Sequence, residues 1–214
     1  PTRRQRQMCI RDRDKIMLDG FKSLESRDFK IENGEKIMEH ARSIKSAEEI
    51  KAMRCSISAC ETSIHVMEKE TKPGMTENDI WSILHSENIK RGGEWIETRL
   101  LSSGTKTNPW FQECGSRILQ NNEIVAFDTD LVGCYSICTD ISRTWWIGDQ
   151  EPTKEMKQDY QIALEHIQKN AELVAPGVHF KDLTFEGHQL DDVYKKQQYS
   201  CRFHGVLGYA TSFL

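Results

Sequence analysis

Three aspartates, Asp128, Asp130 and Asp140, stand inside EIVAFDTDLVGCYSICTDISRTWWI, residues 123–147, a stretch that otherwise reads as buried strand. A carboxylate in a low-dielectric interior stays ionised only beside a cation or several donors, because transfer without compensation is costly. Three together repel one another, so a divalent metal is the natural counter-charge. Oxygen ligands suit hard or borderline ions such as magnesium, manganese or iron, and an added imidazole favours the transition metals among them. Asp128 and Asp130 have the same parity on a strand and leave from one face. Asp140, on the returning strand, can be set alongside by cross-strand pairing. A plainer role competes with this one: a strand aspartate is most often a turn cap or half of an ion pair, with Arg143 the available partner for Asp140. The shared parity and the number of carboxylates favour the metal.

The elements that must position these residues follow from periodicity. Ile124, Val125, Ala126 and Phe127 form a covered strand, and after a turn at Gly133 the chain returns through Tyr135, Ile137, Cys138, Ile141, Thr144, Trp145, Trp146 and Ile147, which makes a hairpin. Ser46-Ala47-Glu48-Glu49 is a capping box that opens a long amphipathic helix running to about Lys69. Lys72-Pro73-Gly74 breaks it, Thr76 opens a second helix, and Gly92-Gly93 stops that one. Trp95 to Ser103 reads as a strand and is followed by a loop dense in turn formers, of a length that is often functional. Beyond the hairpin come a helix over 153–174, a Pro176-Gly177 turn, a helix around 180–195 and a final strand over 199–206. Helix pairs alternating with antiparallel strands give an α+β fold. His65 and His85 ride on the first two helices without partners at ligand spacing and receive no role. Cys134 and Cys138 lack two further thiolates for a zinc site and read as strand residues.

Composition narrows the function classes. The 214 residues are 37% hydrophobic and 8% aromatic, enough for one substantial domain. A net charge of -4 argues against a general nucleic-acid binder, and no apolar run approaches membrane-spanning length. Seven cysteines, an odd number without paired spacing, read as reduced thiols. With no secretory-type leader in view, the expected compartment is the cytoplasm. Residues 1–13 hold five arginines with no apolar period and read as a non-native leader, 14–45 as the remnant of an N-terminal region, and 46–214 as the catalytic domain.

The order of helix, Pro-Gly turn, helix, strand, Gly-containing loop and Asp hairpin ending in D-I-S-R-T, followed by a long helix, a Pro-Gly turn, a helix and His204-Gly205-Val206, resembles the M24 metallopeptidase family. The similarity covers about residues 45–206. It implies the pita-bread fold of methionine aminopeptidase, Xaa-Pro aminopeptidase, prolidase and creatinase, here C-terminally incomplete, with two further glutamate ligands expected past Leu214. By motif it implies that Asp128, Asp140 and His204 are metal ligands.

Two departures from the peptidase pattern sharpen the resemblance. The family's proton-shuttling His before the hairpin is replaced by Asn108-Pro109-Trp110-Phe111, and the first Asp is followed by Thr129-Asp130 rather than a small residue and Gly. Both, together with N-N-E-I-x-A-F-D-T-D and D-I-S-R-T-W-W-I-G-D-Q, resemble the DddP type of dimethylsulfoniopropionate lyase, an M24-fold enzyme without peptidase activity. That resemblance implies a metal, iron in the family with zinc and manganese as alternatives, held by Asp128, Asp130, Asp140 and His204. It places a catalytic tyrosine at Tyr199. A sulfonium has no proton to donate and is best met by aromatic faces, for which Trp110 and Tyr199 are the substrate-binding candidates, with Phe111, Trp145 and Trp146 considered beside them. Core packing competes for each aromatic, and of Trp145 and Trp146 one packs inward by alternation. The competing functions are an Xaa-Pro aminopeptidase or creatinase-like hydrolase and a non-catalytic binding pseudoenzyme. The resemblance also implies a homodimer acting on a small sulfonium or carboxylate compound. Residues 207–214, LGYATSFL, are expected to be out of frame, since a one-base shift can restore the Gly-Leu-Cys-Asp that follows His-Gly-Val in lyases of this type; such a truncated chain is expected to be inactive.

Overall fold

The computed structural model describes residues 18–27, 37, 40–41, 43–96, 98–109 and 112–195. A short helix α1 (Leu18–Glu25) precedes the main body. Helix α2 (Ala47–Glu70) starts where the capping box predicts. The Glu49 N–H donates to Ser46 Oγ at 3.3 Å and the Ser46 N–H to Glu49 Oε2 at 2.7 Å, so two of the helix's orphan donors are satisfied. Its inner face is Ser56, Ala59, Cys60, Ser63, Ile64 and Met67, at helical spacing. Helix α3 (Glu77–Lys90) carries the same kind of cap, Thr76 with Asp79. It ends where Gly93 passes Asn88 so closely that a Cβ there would lie 1.9 Å from Asn88 Oδ1.

The sheet is built on one long strand. β3 (Glu123–Val132) pairs antiparallel along one edge with β1 (Trp95–Ile96) and β2 (Leu101–Ser103), and along the other with β4 (Cys138–Ile147). Odd-numbered residues of the hairpin (Val125, Phe127, Thr129, Leu131, Thr139, Ile141) are buried and face the core made with α2 and α3. Even-numbered ones, apart from buried Val132 at the end of β3, are half-buried or exposed on the other face. Helix α4 (Lys154–Glu172) is capped by Thr153 and followed by α5 (Phe180–Glu186) and α6 (Asp192–Lys195). The chain is therefore mixed helix and antiparallel sheet, as the pattern of elements predicts.

Three local expectations need correction. The strand over 95–103 is two strands, because the Leu101 N–H turns back to Arg99 O at 2.9 Å and Arg99 O also accepts from the Cys114 N–H at 2.7 Å, which diverts the middle of the segment to the loop. The helix around 180–195 is broken at Gly187, where the following N–H, that of His188, donates to Asn170 Oδ1 on α4 instead of continuing the helix. Cys134 is not a strand residue. It opens a 3-10 turn, Cys134–Ser136, that takes Tyr135 out of the returning strand as well and closes the hairpin through Gly133 N–H to Ile137 O at 2.9 Å, while Cys138 begins β4 as expected. The final strand over 199–206 lies outside the described residues.

Candidate metal and substrate site

Strand parity and register together decide where the aspartates go. Residue numbers of paired positions on β3 and β4 are fixed by the five-residue connection 133–137, and this sets Asp130 directly opposite Asp140 and Asp128 opposite Ser142. All three carboxylates leave from the even face, away from the helical core, and all three are half-buried. Directly opposed residues have Cβ atoms about 4.5–5.5 Å apart, within reach of one ion, and like charges so placed repel.

Two of these carboxylates accept from neutral hydroxyls. Ser142 Oγ donates to Asp128 Oδ1 at 2.7 Å, and Thr98 Oγ1, from the bend between β1 and β2, donates to Asp130 Oδ2 at 3.0 Å. Hydroxyls orient a carboxylate without balancing its charge. Arg143, the ion-pair partner available to Asp140 by sequence, leaves from the opposite face and pairs with Glu61 of α2 at 3.6 Å. The donor chemistry, two opposed carboxylates and a third on the same face, fits a hard or borderline divalent cation. Among the described residues, however, no three His, Cys, Asp or Glu side chains already converge on a common point. His204, the expected imidazole, lies outside the described residues, as do Tyr199 and Trp110.

The two tryptophans of β4 separate as alternation predicts. Trp145 packs inward, its ring edge-on to Phe127 with centroids 5.7 Å apart. Trp146 shares the even face with the aspartates and donates its indole N–H to Gln150 O at 2.8 Å. It sits six residues beyond Asp140, about 20 Å along an extended strand, too far to meet a molecule held there.

A second polar assembly was not legible in the sequence. Glu77, fully buried at the start of α3, accepts from the Ser103 N–H (3.0 Å), Ser103 Oγ (2.9 Å), Gly115 N–H (3.1 Å) and Lys106 Nζ (2.5 Å). Next to it Arg117 grips Glu123 through two bonds of 2.6 Å and donates to Ser103 Oγ. The Glu123 carboxylate raises the Arg117 guanidinium above its usual range, against the opposing effect of burial. These groups tie both ends of the loop 104–117 to α3 and β3, and Gln112 Nε2 closes the loop on Lys106 O and Pro109 O. The only sequence signal was Glu77 itself, which at the first turn of a helix reads as a dipole-compensating acid.

The family model for metallopeptidase family M24 matches residues 51–210. Among curated proteins, the dimethylsulfoniopropionate lyases DddP of Roseovarius nubinhibens and of Roseobacter denitrificans are each 54% identical over 198 residues, covering 90% of this chain and 44% of the relative. An uncharacterized peptidase of Staphylococcus aureus is 28% identical over 174 residues, covering 80% of this chain and 47% of its own. Among solved structures, an X-Pro aminopeptidase from Thermotoga maritima superposes with a TM-score of 0.71 at 22% identity, over 87% of this chain and 50% of that one. The prolidase from Pyrococcus furiosus gives 0.72 at 18% identity, over 79% and 50%. The two structures establish the shared fold. The chain spans less than half the length of the curated relatives it matches.

Proposed function

The chain belongs to metallopeptidase family M24, and from that premise we propose that the whole protein is a metal-dependent carbon–sulfur lyase that cleaves dimethylsulfoniopropionate to dimethyl sulfide and acrylate. The observation that carries the reading is Asp130, an extra carboxylate set directly across from Asp140, in a chain 54% identical to two proteins named as that lyase. Asp128, Asp130, Asp140 and His204 are the residues that would hold a divalent metal, iron in first place and zinc or manganese after it. Bound there, the metal supplies a Lewis acid for the substrate carboxylate, which acidifies the neighbouring C–H.

The chain's own residues do the rest. Thr98 and Ser142 hold two of the carboxylates in place through their hydroxyls, so the ligand face is oriented before anything binds. Trp110 and Tyr199 are proposed to receive the sulfonium, whose positive charge is attracted to a ring face, and Tyr199 is proposed to act directly in catalysis. The Glu77–Lys106 and Arg117–Glu123 pairs fix the ends of the loop that carries Trp110. The elimination removes the proton α to the carboxylate and breaks the bond between the β carbon and sulfur, the electron pair leaving with dimethyl sulfide. The same proposal includes a homodimer in the cytoplasm, with residues 46–214 as the catalytic part of this chain; among the described residues no helix is long and apolar enough to cross a membrane.

A metallohydrolase acting on proline peptides is the second reading, favoured by the peptidase-named relative at 28% identity. A binding pseudoenzyme is disfavoured by the repulsion built into the Asp130–Asp140 pair, which a binding module has no reason to keep. The full-length protein, loaded with iron, is expected to release dimethyl sulfide from dimethylsulfoniopropionate and to leave proline dipeptides intact. Cleavage of the dipeptide without dimethyl sulfide would replace the first reading by the second.

A further inference from the structure

Cys55 and Cys134 come from separate elements that meet at one seam. Cys55 lies on α2, and Cys134 opens the 3-10 turn at the tip of the aspartate hairpin. One residue further along, helix and tip interlock: Ser56 Oγ donates to Ile137 O at 2.9 Å. A Cβ on Gly133 would lie 2.1 Å from Ser56 Oγ and 3.2 Å from Ser56 Cβ, so the tip backbone rests against the helix only because that residue is glycine. Cys134 Sγ lies in the same seam, donating to Arg91 O at 3.0 Å. The Cys55 side chain meets the Cys134 thiol across this seam in a hydrogen bond, which after burial helps to push that thiol up.

Their surroundings differ. Cys55 is exposed and Cys134 is buried. The other described cysteines near the core are poor targets: burial pushes Cys60 up to about 11, and Cys114, also raised, is buried with its Sγ on Asn78 Oδ1 at 3.2 Å. An oxidant therefore meets Cys55 first, with a second sulfur beside it.

We propose that Cys55 and Cys134 form a dithiol that closes to a disulfide, pinning α2 to the tip of the hairpin that carries Asp130 and Asp140. With a peroxide as the oxidant, the Cys55 sulfur attacks one peroxide oxygen. An S–O bond forms, the O–O bond breaks, and one water leaves a sulfenic acid on Cys55. The Cys134 sulfur then attacks the Cys55 sulfur; the S–O bond breaks and hydroxide departs, taking up the Cys134 proton as a second water. Two thiols lose two hydrogens and two electrons, and one peroxide becomes two waters. Because the Cys134 thiol is raised, this second step quickens as pH rises through neutrality, and a dithiol reductant reverses the product. Any effect on turnover rests on the reading of the hairpin as the metal site; the bond itself does not.

The test uses the full-length protein, reduced and then treated with hydrogen peroxide, alkylated and mapped by mass spectrometry. The expected product has lost two hydrogens and joins the peptides of Cys55 and Cys134. It is absent from Cys55→Ser and Cys134→Ser and retained in Cys60→Ser. Oxidation of Cys55 to a sulfinic acid or to a bond with another thiol, while Cys134 stays alkylatable, overturns the proposal. The mass readout is independent of dimethyl sulfide release, so a failed lyase assay leaves it standing.

Discussion

Two sets of carboxylates flank the same strand and are handled in opposite ways. Glu77 is fully buried yet meets a lysine, two backbone N–H groups and a hydroxyl, so its charge is matched within the chain. Asp130 and Asp140 are half-buried and opposed to each other in register, Asp130 accepting from the Thr98 hydroxyl and Asp128, on the same face, from that of Ser142. Burial alone would predict that the more buried acid is the functional one. On the proposed reading the order is reversed: the acid held by a lysine and backbone donors serves the fold, whereas like charges opposed on neighbouring strands would serve to take a cation from solution.

The largest expected effect breaks the aspartate side of the contrast. In the whole protein Asp130→Asn should lower dimethyl sulfide release by about a thousandfold, equivalent to about 4 kcal/mol of transition-state stabilisation. The same substitution should leave the metal-free protein as stable or slightly more so, because it removes a like-charge pair of the kind that costs up to ~1 kcal/mol. Thermal unfolding with and without added manganese reads both: the variant loses the metal-dependent rise in Tm. A variant that unfolds more readily than the parent without metal would place Asp130 with Glu77 as a structural acid.

Glu77→Ala should do the reverse. It leaves the Ser103 N–H and the Gly115 N–H without their acceptor and Lys106 without its carboxylate, and breaking a buried pair in this way costs about 3 kcal/mol, less than the upper range because Lys106 reaches solvent and keeps Glu113 O. Urea unfolding should show the loss, and metal affinity should change little. Arg117→Met should cost less, about 2 kcal/mol, since its side chain is partly exposed and Glu123 keeps the Gln120 N–H as a donor.

That contrast explains how much of the site was legible in the sequence. The hairpin, its shared face and the capped helices follow from short-range patterns: parity for Asp128 and Asp130, capping boxes at Ser46 and Thr76. The register was not legible. Whether Asp140 faces Asp128 or Asp130 depends on the number of residues in the tip, and Tyr135 and Ser136, at φ near 60°, make a turn that no local propensity foretells. Glu77 was invisible for a different reason. Its partners lie 26 to 38 residues away, and no periodicity links a helix's first residue to a loop lysine. The strand over 95–103 failed because tertiary pairing with residues 113 and 114 overrode a continuous β pattern.

The smallest expected effect extends the comparison to a buried group kept neutral rather than matched or opposed. His166, on the inner side of α4, has Nδ1 3.0 Å from His188 Nδ1, with Asn170 beside it and Lys169 Nζ 3.5 Å from His188 Nε2. Burial holds its pKa below the ordinary imidazole value, and His188 and Lys169 push the same way. Glu165, paired with Lys169 at 3.8 Å, softens the lysine's field. The fold thus favours neutral His166, while the unfolded chain takes a proton near pH 6.5. The stability this contributes is fully present above that pH and is lost as pH falls through the folded value. Parent and His166→Gln proteins compared by urea unfolding between pH 8 and pH 5 should show a fall in the parent that is flattened in the variant. Equal slopes would mean that the two imidazoles share their proton at no cost to the fold.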